Sequence, residues 1–281
     1  MIDFLPISKN YSNISLPSCF FLHPIYPFSS IELYHPNFKL DEEKNNNILI
    51  SGSSGNIFQY SQPFLSNYLK NINYFIRCNH APTKSFENWI GNFTNIRWIA
   101  FNALDKVIQS VLQNKIDILN KETNEKEIWI IWGPTQKIKE YQITSKLNLF
   151  FQNEKNIPKQ CFLLSDSFLQ YVDQWFFQNF KIDRRKKGIW WSSGFLAHFY
   201  FIHLISFQNK NFKNNIKLFH HGFYNKLLDT NKKILYHYWE NLEDEKHHII
   251  KQNKSNQGHR FDFEKQIYEI WFKNNLLFSF L

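Results

Sequence analysis

Cysteine, glycine, proline and methionine are all scarce in this 281-residue chain. Three cysteines, Cys19, Cys78 and Cys161, cannot build a disulfide scaffold. None lies in a CxxC pair that would hold structural zinc, and so few thiols fit a reducing compartment. Eight glycines and nine prolines exclude collagen-like and linker-dominated architectures. There is no HExxH, no GxGxxG, no Walker lysine, no GxSxG elbow and no DxD carboxylate pair. Zinc-peptidase, dinucleotide-binding, P-loop, serine-hydrolase and nucleotide–metal chemistry therefore lack sequence support. Residues 188–207 approach membrane-spanning length but contain Ser192, Ser193, His198 and His203, so they read as a buried core helix. The start, Met-Ile-Asp-Phe-Leu-Pro, lacks the basic and continuous apolar regions of a signal peptide. The expected location is cytoplasmic, with peripheral membrane contact through a basic or aromatic surface left open.

Aromatic residues, by contrast, are abundant. The chain holds 30 Phe, 13 Tyr and 9 Trp and is 43% hydrophobic, enough for a large core. Its net charge of +9 favours an anionic partner: a nucleotide, an acidic sugar, a nucleic acid or an anionic membrane surface. The run Arg184-Arg185-Lys186-Lys187 reads as a solvated loop. Residues 1–45 read as an irregular N-terminal extension packed on the body, and residues 46–281 as one domain. Short apolar strands are expected at 47–50, 74–77, 127–132, 160–164 and 216–219. Helical spacing falls at 63–70, 166–180 and 261–273, and Ser192 or Ser193 caps a helix running to about 206. This alternation predicts a single α/β domain with a mainly parallel sheet.

Candidate chemistry gathers at a few places. Gly52 and Gly55 flank a polar turn directly after a strand, where exposed amides can hold a phosphate; an ordinary βα turn explains them equally. Ser192, Ser193 and Gly194 open an apolar helix, which suits a phosphate and suits simple capping. His237 stands among aromatics with Glu240 close by, and His259 precedes Glu264 by five residues. A neutral imidazole can remove a hydroxyl proton near neutral pH and a carboxylate can orient it. A satisfied structural histidine is the plainer reading of either one alone. His220-His221 and His247-His248 read as exposed or loop pairs without zinc spacing.

Several segments stand in a fixed order along residues 48–264. The first is Ile48-Leu49-Ile50-Ser51-Gly52-Ser53-Ser54-Gly55-Asn56, continued by Arg77-Cys78-Asn79-His80-Ala81-Pro82-Thr83 and Ile90-Gly91-Asn92-Phe93-Thr94. Phe168-Leu169-Gln170-Tyr171-Val172 follows, then Ser192-Ser193-Gly194 with its helix and Gly222-Phe223. His237-Tyr238-Trp239-Glu240 and the His-x4-Glu of His259 and Glu264 complete the set. Together these resemble the animal-type sialyltransferases, glycosyltransferase family 29, most closely the β-galactoside α2,3 branch.

The resemblance implies a single Rossmann-like domain of modified GT-A type. It implies an inverting, metal-independent transfer of sialic acid from CMP-sialic acid, with no cofactor. The acceptor would be a galactose-terminated glycan, glycolipid or lipooligosaccharide. By position His259 would be the general base and His237 would stabilise the departing phosphate. Gly52, Ser53, Asn79, Tyr171, Ser192, Ser193, Gly194 and Gly222 would line the nucleotide-sugar site, with Glu264 and Glu240 orienting or structural. The chain departs from the family pattern at Ser53, usually Asn, and at Trp191, usually Pro. The two motif cysteines that pair in secretory members fall here at Ile48 and about Ile205. Their joint loss fits a reducing compartment. Three alternatives stay open: a transferase for another CMP-activated acid sugar such as Kdo, an inactive CMP-sugar-binding relative, and a basic nucleic-acid-binding protein. The last lacks a recognisable binding motif.

Overall fold

A strand buried on both faces must be apolar on both, and the central strands of this chain are. The structure is a computed structural model. It describes residues 20, 22–26, 46–53, 57–58, 67–120, 124–164, 166–212, 216–223, 238–239, 258–259 and 261–279. The strands are β1 (Leu22–Tyr26), β2 (Asn46–Ser51), β3 (Tyr74–Cys78), β4 (Ile96–Ala100), β5 (Ile128–Trp132) and β6 (Gln160–Leu164). They continue with β7 (Ile189–Trp190), β8 (Ile216–His221), β9 (Gly258–His259) and β10 (Phe278–Ser279). Five longer helices matter here: α1 (Leu104–Leu112), α2 (Ile143–Asn153), α3 (Asp166–Phe180), α4 (Ser193–Phe212) and α5 (Phe261–Lys273).

Eight strands form one sheet in the order β1-β6-β5-β4-β3-β2-β8-β10. Every described neighbour pair is parallel except β1–β6. The order runs outward from β2 through β6 on one side, and then resumes at β8 on the other side of β2. The two directions part between β2 and β8, and a parallel α/β sheet leaves its ligand crevice outside the carboxyl ends of such strands. A separate two-stranded ribbon pairs Ile189 with Gly258 and Trp190 with His259.

Strand alternation sorts the core into two layers. Ile48, Ile50, Ile76, Ile96, Trp98, Ile130 and Phe162 face a layer with α3, α4 and α5. Ile99, Trp129, Ile131 and Cys161 face α1, α2 and the short helix Thr135–Glu140. Helix α4 is buried all round its first turns, Phe195, Leu196, Ala197, Phe199, Tyr200, Phe201 and Ile202 included. It is the central crossover helix, and no helix among the described residues is long and apolar enough to cross a membrane. Ile48 and Ile205 lie in the same apolar layer as that helix.

The N-terminal extension differs from its expected irregular form. Leu22–Tyr26 is an antiparallel edge strand on β6. An edge tolerates Pro24, which cannot donate to a ladder and masks the strand in the sequence. Phe20, fully buried, packs on Phe168, Tyr171, Tyr200 and His203. Strand β4 was hidden for another reason: Arg97 interrupts its apolar run.

Arg97 and Arg77 are paired in register on neighbouring strands and both are fully buried. Glu127 answers them. It sits just before β5, accepts from Arg97 at 2.8 and 2.6 Å, and accepts from Trp129 Nε1 at 3.0 Å. Arg97 Nη1 also donates to the carbonyls of Asn79 (2.9 Å) and Ala81 (3.1 Å). Arg77 donates to the carbonyls of Ile90, Gly91 and Phe93 and to Thr94 Oγ1. Burial pulls its guanidinium down to about 10. Both charges thus spend their donors on loops at the carboxyl edge of β3 and just before β4. Replacing Arg97 by methionine would strand Glu127 as a buried charge. We expect Arg97→Met to lower unfolding stability by about 3–5 kcal/mol in urea denaturation; a change within 1 kcal/mol (~) would contradict this reading of the pair.

Candidate functional site

The carboxyl ends of β2 and β8 come together at two glycines. Gly52 donates its N–H to the His221 carbonyl at 2.7 Å. A Cβ on Gly52 would lie 2.2 Å from the Gly222 carbonyl oxygen, which is backbone and cannot yield. Gly222 has φ +71. Both glycines are therefore demanded by the close approach of two strands, independently of any ligand. Phe223 fills the space beyond: its ring lies where a Cβ on Gly52 or on Gly194 would go. It joins the end of β2 to the start of α4. The Ser53 carbonyl accepts from the Tyr238 N–H at 2.8 Å, and the Tyr238 hydroxyl donates to the Pro82 carbonyl at 2.6 Å. The His237–Glu240 segment is thereby tied, through Tyr238, to both the Ile48–Asn56 and the Arg77–Thr83 segments. Burial pushes the Tyr238 hydroxyl well above its ordinary range.

Asn79 directly follows β3 with φ 54, a left-handed conformation that asparagine tolerates better than most residues. Its carboxamide is fixed from both sides. Oδ1 accepts from the Ala100 N–H at 2.9 Å, and Nδ2 donates to Ser193 Oγ at 3.2 Å. Ser193 is the first residue of α4. Ser192 caps that helix, its Oγ accepting from the Phe195 N–H at 3.0 Å. A 20-residue helix directs its free amides and positive end to this spot.

Glu264 supplies an unforeseen joint. Its Oε1 accepts from the Ser192 N–H and its Oε2 from the Ser192 hydroxyl, both at 2.7 Å. It is 2% exposed and sits in the first turn of α5, just after β9. The carboxylate thus anchors the N-terminus of α4, and both its oxygens serve Ser192. The ribbon pairing of Trp190 with His259 brings the His259 backbone to the stretch leading into α4.

Asn79, Ser192, Ser193, Gly194 and Glu264 therefore form one assembly, with Gly52, Ser53 and Gly222 adjoining it through Phe223. Tyr171 is set apart. Its ring contacts Phe20, Phe199 and His203. The last two lie roughly 9 and 15 Å along α4 from Ser193 at 1.5 Å (~) per residue. His237, Glu240, Gly55 and the His247-His248 pair lie outside the described residues, and of His259 only the backbone is described.

The His220-His221 pair is not an exposed loop. Both residues belong to β8, an interior strand between β2 and β10. Burial as neutral rings makes this possible. His198 Nδ1 lies 2.7 Å from the Gly194 carbonyl, so that nitrogen carries the proton. His198 Nε2 then accepts from His220 Nδ1 at 3.1 Å. His221 Nε2 donates to the Trp89 carbonyl at 3.1 Å, and His203 Nδ1 to the Phe199 carbonyl at 2.6 Å. Sequence reasoning missed this cluster behind the α4 N-terminus. It also missed Arg97 and Glu127, whose signal was a charge inside or beside an apolar strand.

Burial lowers His198 to about 3 and His203 and His221 to about 4, against an ordinary 6.5. His220 is also held well below its ordinary value by burial and by its two histidine neighbours. These rings resist protons in the folded chain and accept them in the unfolded chain. Their contribution is fully present above about pH 6.5 and is lost as pH falls toward the folded values. Unfolding free energy should fall by about 1.4 kcal/mol per pH unit for each independently titrating ring. Urea denaturation from neutral pH to about pH 5 reads this slope, and a flat profile would contradict the neutral assignment.

Comparison with known proteins bears on the family and the fold. Residues 35–275 match the model of glycosyltransferase family 29 (sialyltransferase). The rat alpha-N-acetylgalactosaminide alpha-2,6-sialyltransferase 3 is 24% identical over 207 residues, covering 71% of this chain and 62% of that protein. The human protein of that name matches over the same shares. The chain thus spans less than two thirds of these relatives' length. The crystal structure of a mammalian sialyltransferase shares the fold with a TM-score of 0.50 at 16% identity, over 84% of this chain and 68% of that one. The relatives' names carry an α2,6 linkage, where the motifs led us to expect the α2,3 branch. With the match reaching from before β2 to the end of α5, the chain belongs to glycosyltransferase family 29, the sialyltransferases.

Proposed function

We propose that this chain transfers sialic acid from CMP-sialic acid to a sugar hydroxyl, with inversion and without a metal ion or cofactor. The observation that carries the reading is the meeting of Asn79 and Ser193 at 3.2 Å, at the positive end of α4 and the switch point of the sheet. Here the Arg77–Thr83 and Ser192–Gly194 segments meet, and they would make one polar wall. A donor phosphate would suit it: the free amides at the start of α4, the Ser193 hydroxyl and the second N–H of the Asn79 carboxamide can hold developing negative charge, while Ser192, its hydroxyl proton given to Glu264, would support the wall from behind. Ser53 and the Gly52–Gly222 contact shape the floor next to it.

The acceptor hydroxyl oxygen would attack the anomeric carbon as the bond to the phosphate oxygen breaks, the electron pair leaving with CMP. His259 would take the hydroxyl proton and His237 would steady the phosphate. Glu264 would hold Ser192, and so the pocket wall, in place. The acceptor class is a galactose-containing glycan, glycolipid or lipooligosaccharide. Linkage has two readings. The likeness around residues 237–240 and 259–264 favours O3 of a β-galactoside. The names of the relatives, alpha-N-acetylgalactosaminide alpha-2,6-sialyltransferases, favour O6 of an N-acetylgalactosaminide.

Mass spectrometry of a panel of both acceptor classes, incubated with CMP-sialic acid and EDTA, tests the reading. We expect one added sialic acid, and methylation analysis of that product assigns the linkage. His259→Ala should cut the rate by about 10²–10⁴ while CMP binding stays intact. Retained transfer in that variant would remove the base assignment. Transfer from CMP-Kdo but not from CMP-sialic acid would replace the donor.

A further inference from the structure

The end of α3 and the turn after it make a surface unlike the rest of the described exterior. Phe177 is 50% exposed and Trp190 is 60% exposed. Between them in sequence lie five cations, Lys181, Arg184, Arg185, Lys186 and Lys187. The segment is not a loose loop. Asp173, one turn before Phe177 on the same face of α3, grips it. The Asp173 carboxylate accepts from Arg184 Nε and Nη2, the latter at 2.7 Å, from Arg185 Nε at 2.7 Å and from Trp191 Nε1 at 3.2 Å. Backbone bonds from Lys187 to Asp183, Gly188 to Arg185 and Ile189 to Arg184 close the turn. The Arg184 guanidinium lies 5.9 Å from the Trp190 ring centre and 5.8 Å from that of Trp191.

Charge is distributed unevenly across this patch. Asp173 is nearly buried, with 15% of its side chain exposed. Asp183 lies 3.8 Å from Lys186 and is half exposed, and Asp166 acts on Arg185 from the far end of α3. The cations are on the outside: the side chains of Arg185 and Lys186 are 60% and 84% exposed, and Lys181 and Lys187 are exposed too. The result is a braced turn with four exposed cations and an exposed aromatic ring before and after it in sequence.

The geometry points to a docking surface for an anionic phospholipid bilayer. Exposed Trp and Phe settle at the level of lipid headgroups, and clustered Lys and Arg draw anionic headgroups. A single-stranded nucleic acid would want a run of rings set for successive base stacking along a basic groove, whereas these two rings stand on either side of the turn, Phe177 on α3 and Trp190 on β7. The turn's position gives it a use, which rests on the function proposed above. Trp190 pairs in register with His259 and stands two residues before Ser192. A bilayer held at Trp190 would lie near His259, the proposed base, to which the hydroxyl of a lipid-linked sugar would have to come.

Co-sedimentation of the full chain with phosphatidylcholine vesicles, with and without phosphatidylserine, tests this. We expect binding only when phosphatidylserine is present, and weakening as sodium chloride is raised. Lys186→Glu with Lys187→Glu should reduce the partition coefficient about tenfold or more, and Phe177→Ala several-fold, with thermal midpoints unchanged. Equal binding to neutral vesicles, or full binding by the double charge reversal, would overturn the proposal. So would indifference to Phe177→Ala with salt-steep binding of a single-stranded oligonucleotide, which marks a general polyanion surface. The vesicle assay uses no donor, so it stands or falls apart from the transferase reading. Transfer to a soluble acceptor should stay at the parent level in the Lys186→Glu, Lys187→Glu variant.

Discussion

Two guanidinium groups lie side by side inside the sheet, and much of the site depends on how that is tolerated. Arg77 and Arg97 face each other across β3 and β4 with no water access. One buried carboxylate, Glu127, pairs with Arg97 at 2.6 Å. Further donors end on carbonyls of the loops at 79–81 and 90–93 and on the Thr94 hydroxyl, while Arg77 Nε is left without a partner among the described residues. A buried ion pair contributes little net stability, but it penalises any arrangement that leaves one of its members alone. The loops are thereby confined to a conformation in which those carbonyls point inward. Asn79 is one of the confined residues, so its left-handed backbone and aimed carboxamide follow from charges buried two strands deep.

A second constraint organises the opposite wall. The N-terminus of α4 is held by three partners that come from distant parts of the chain. Asn79 reaches Ser193 from β3, Glu264 reaches Ser192 from α5, and Phe223 packs against Gly194 from beyond β8. Each joint makes the helix end a fixed feature instead of a frayed one. A preorganised positive end is what stabilises a leaving phosphate at little reorganisation cost. Behind it, neutral His198 and His220 keep the interior free of charge that would compete with the pocket.

The fold was legible where local pattern and tertiary context agree. The expected bounds of β6, α3 and α5 coincide with the observed ones, because the apolar pattern of each has the period of the element it forms. It was illegible where a core charge or an edge proline breaks the pattern, as at Arg97 in β4 and Pro24 in β1. The site was legible as pieces. The polar turn after β2, Asn79 and the serines before α4 stand out by residue type and order. Their joints were not legible, since Ser192–Glu264 spans 72 residues and Asn79–Ser193 spans 114. Glu264 is a further example: its place five residues after His259 is plain in the sequence, while its two bonds to Ser192, 72 residues away, are not.

Calorimetric titration of CMP into the parent chain and into Asn79→Ala and Ser193→Ala tests whether these two residues receive the nucleotide phosphate. We expect saturable binding by the parent and about tenfold weaker binding, or more, by each variant, as for a lost hydrogen bond to a charged group. Unchanged affinity in both variants would contradict that assignment.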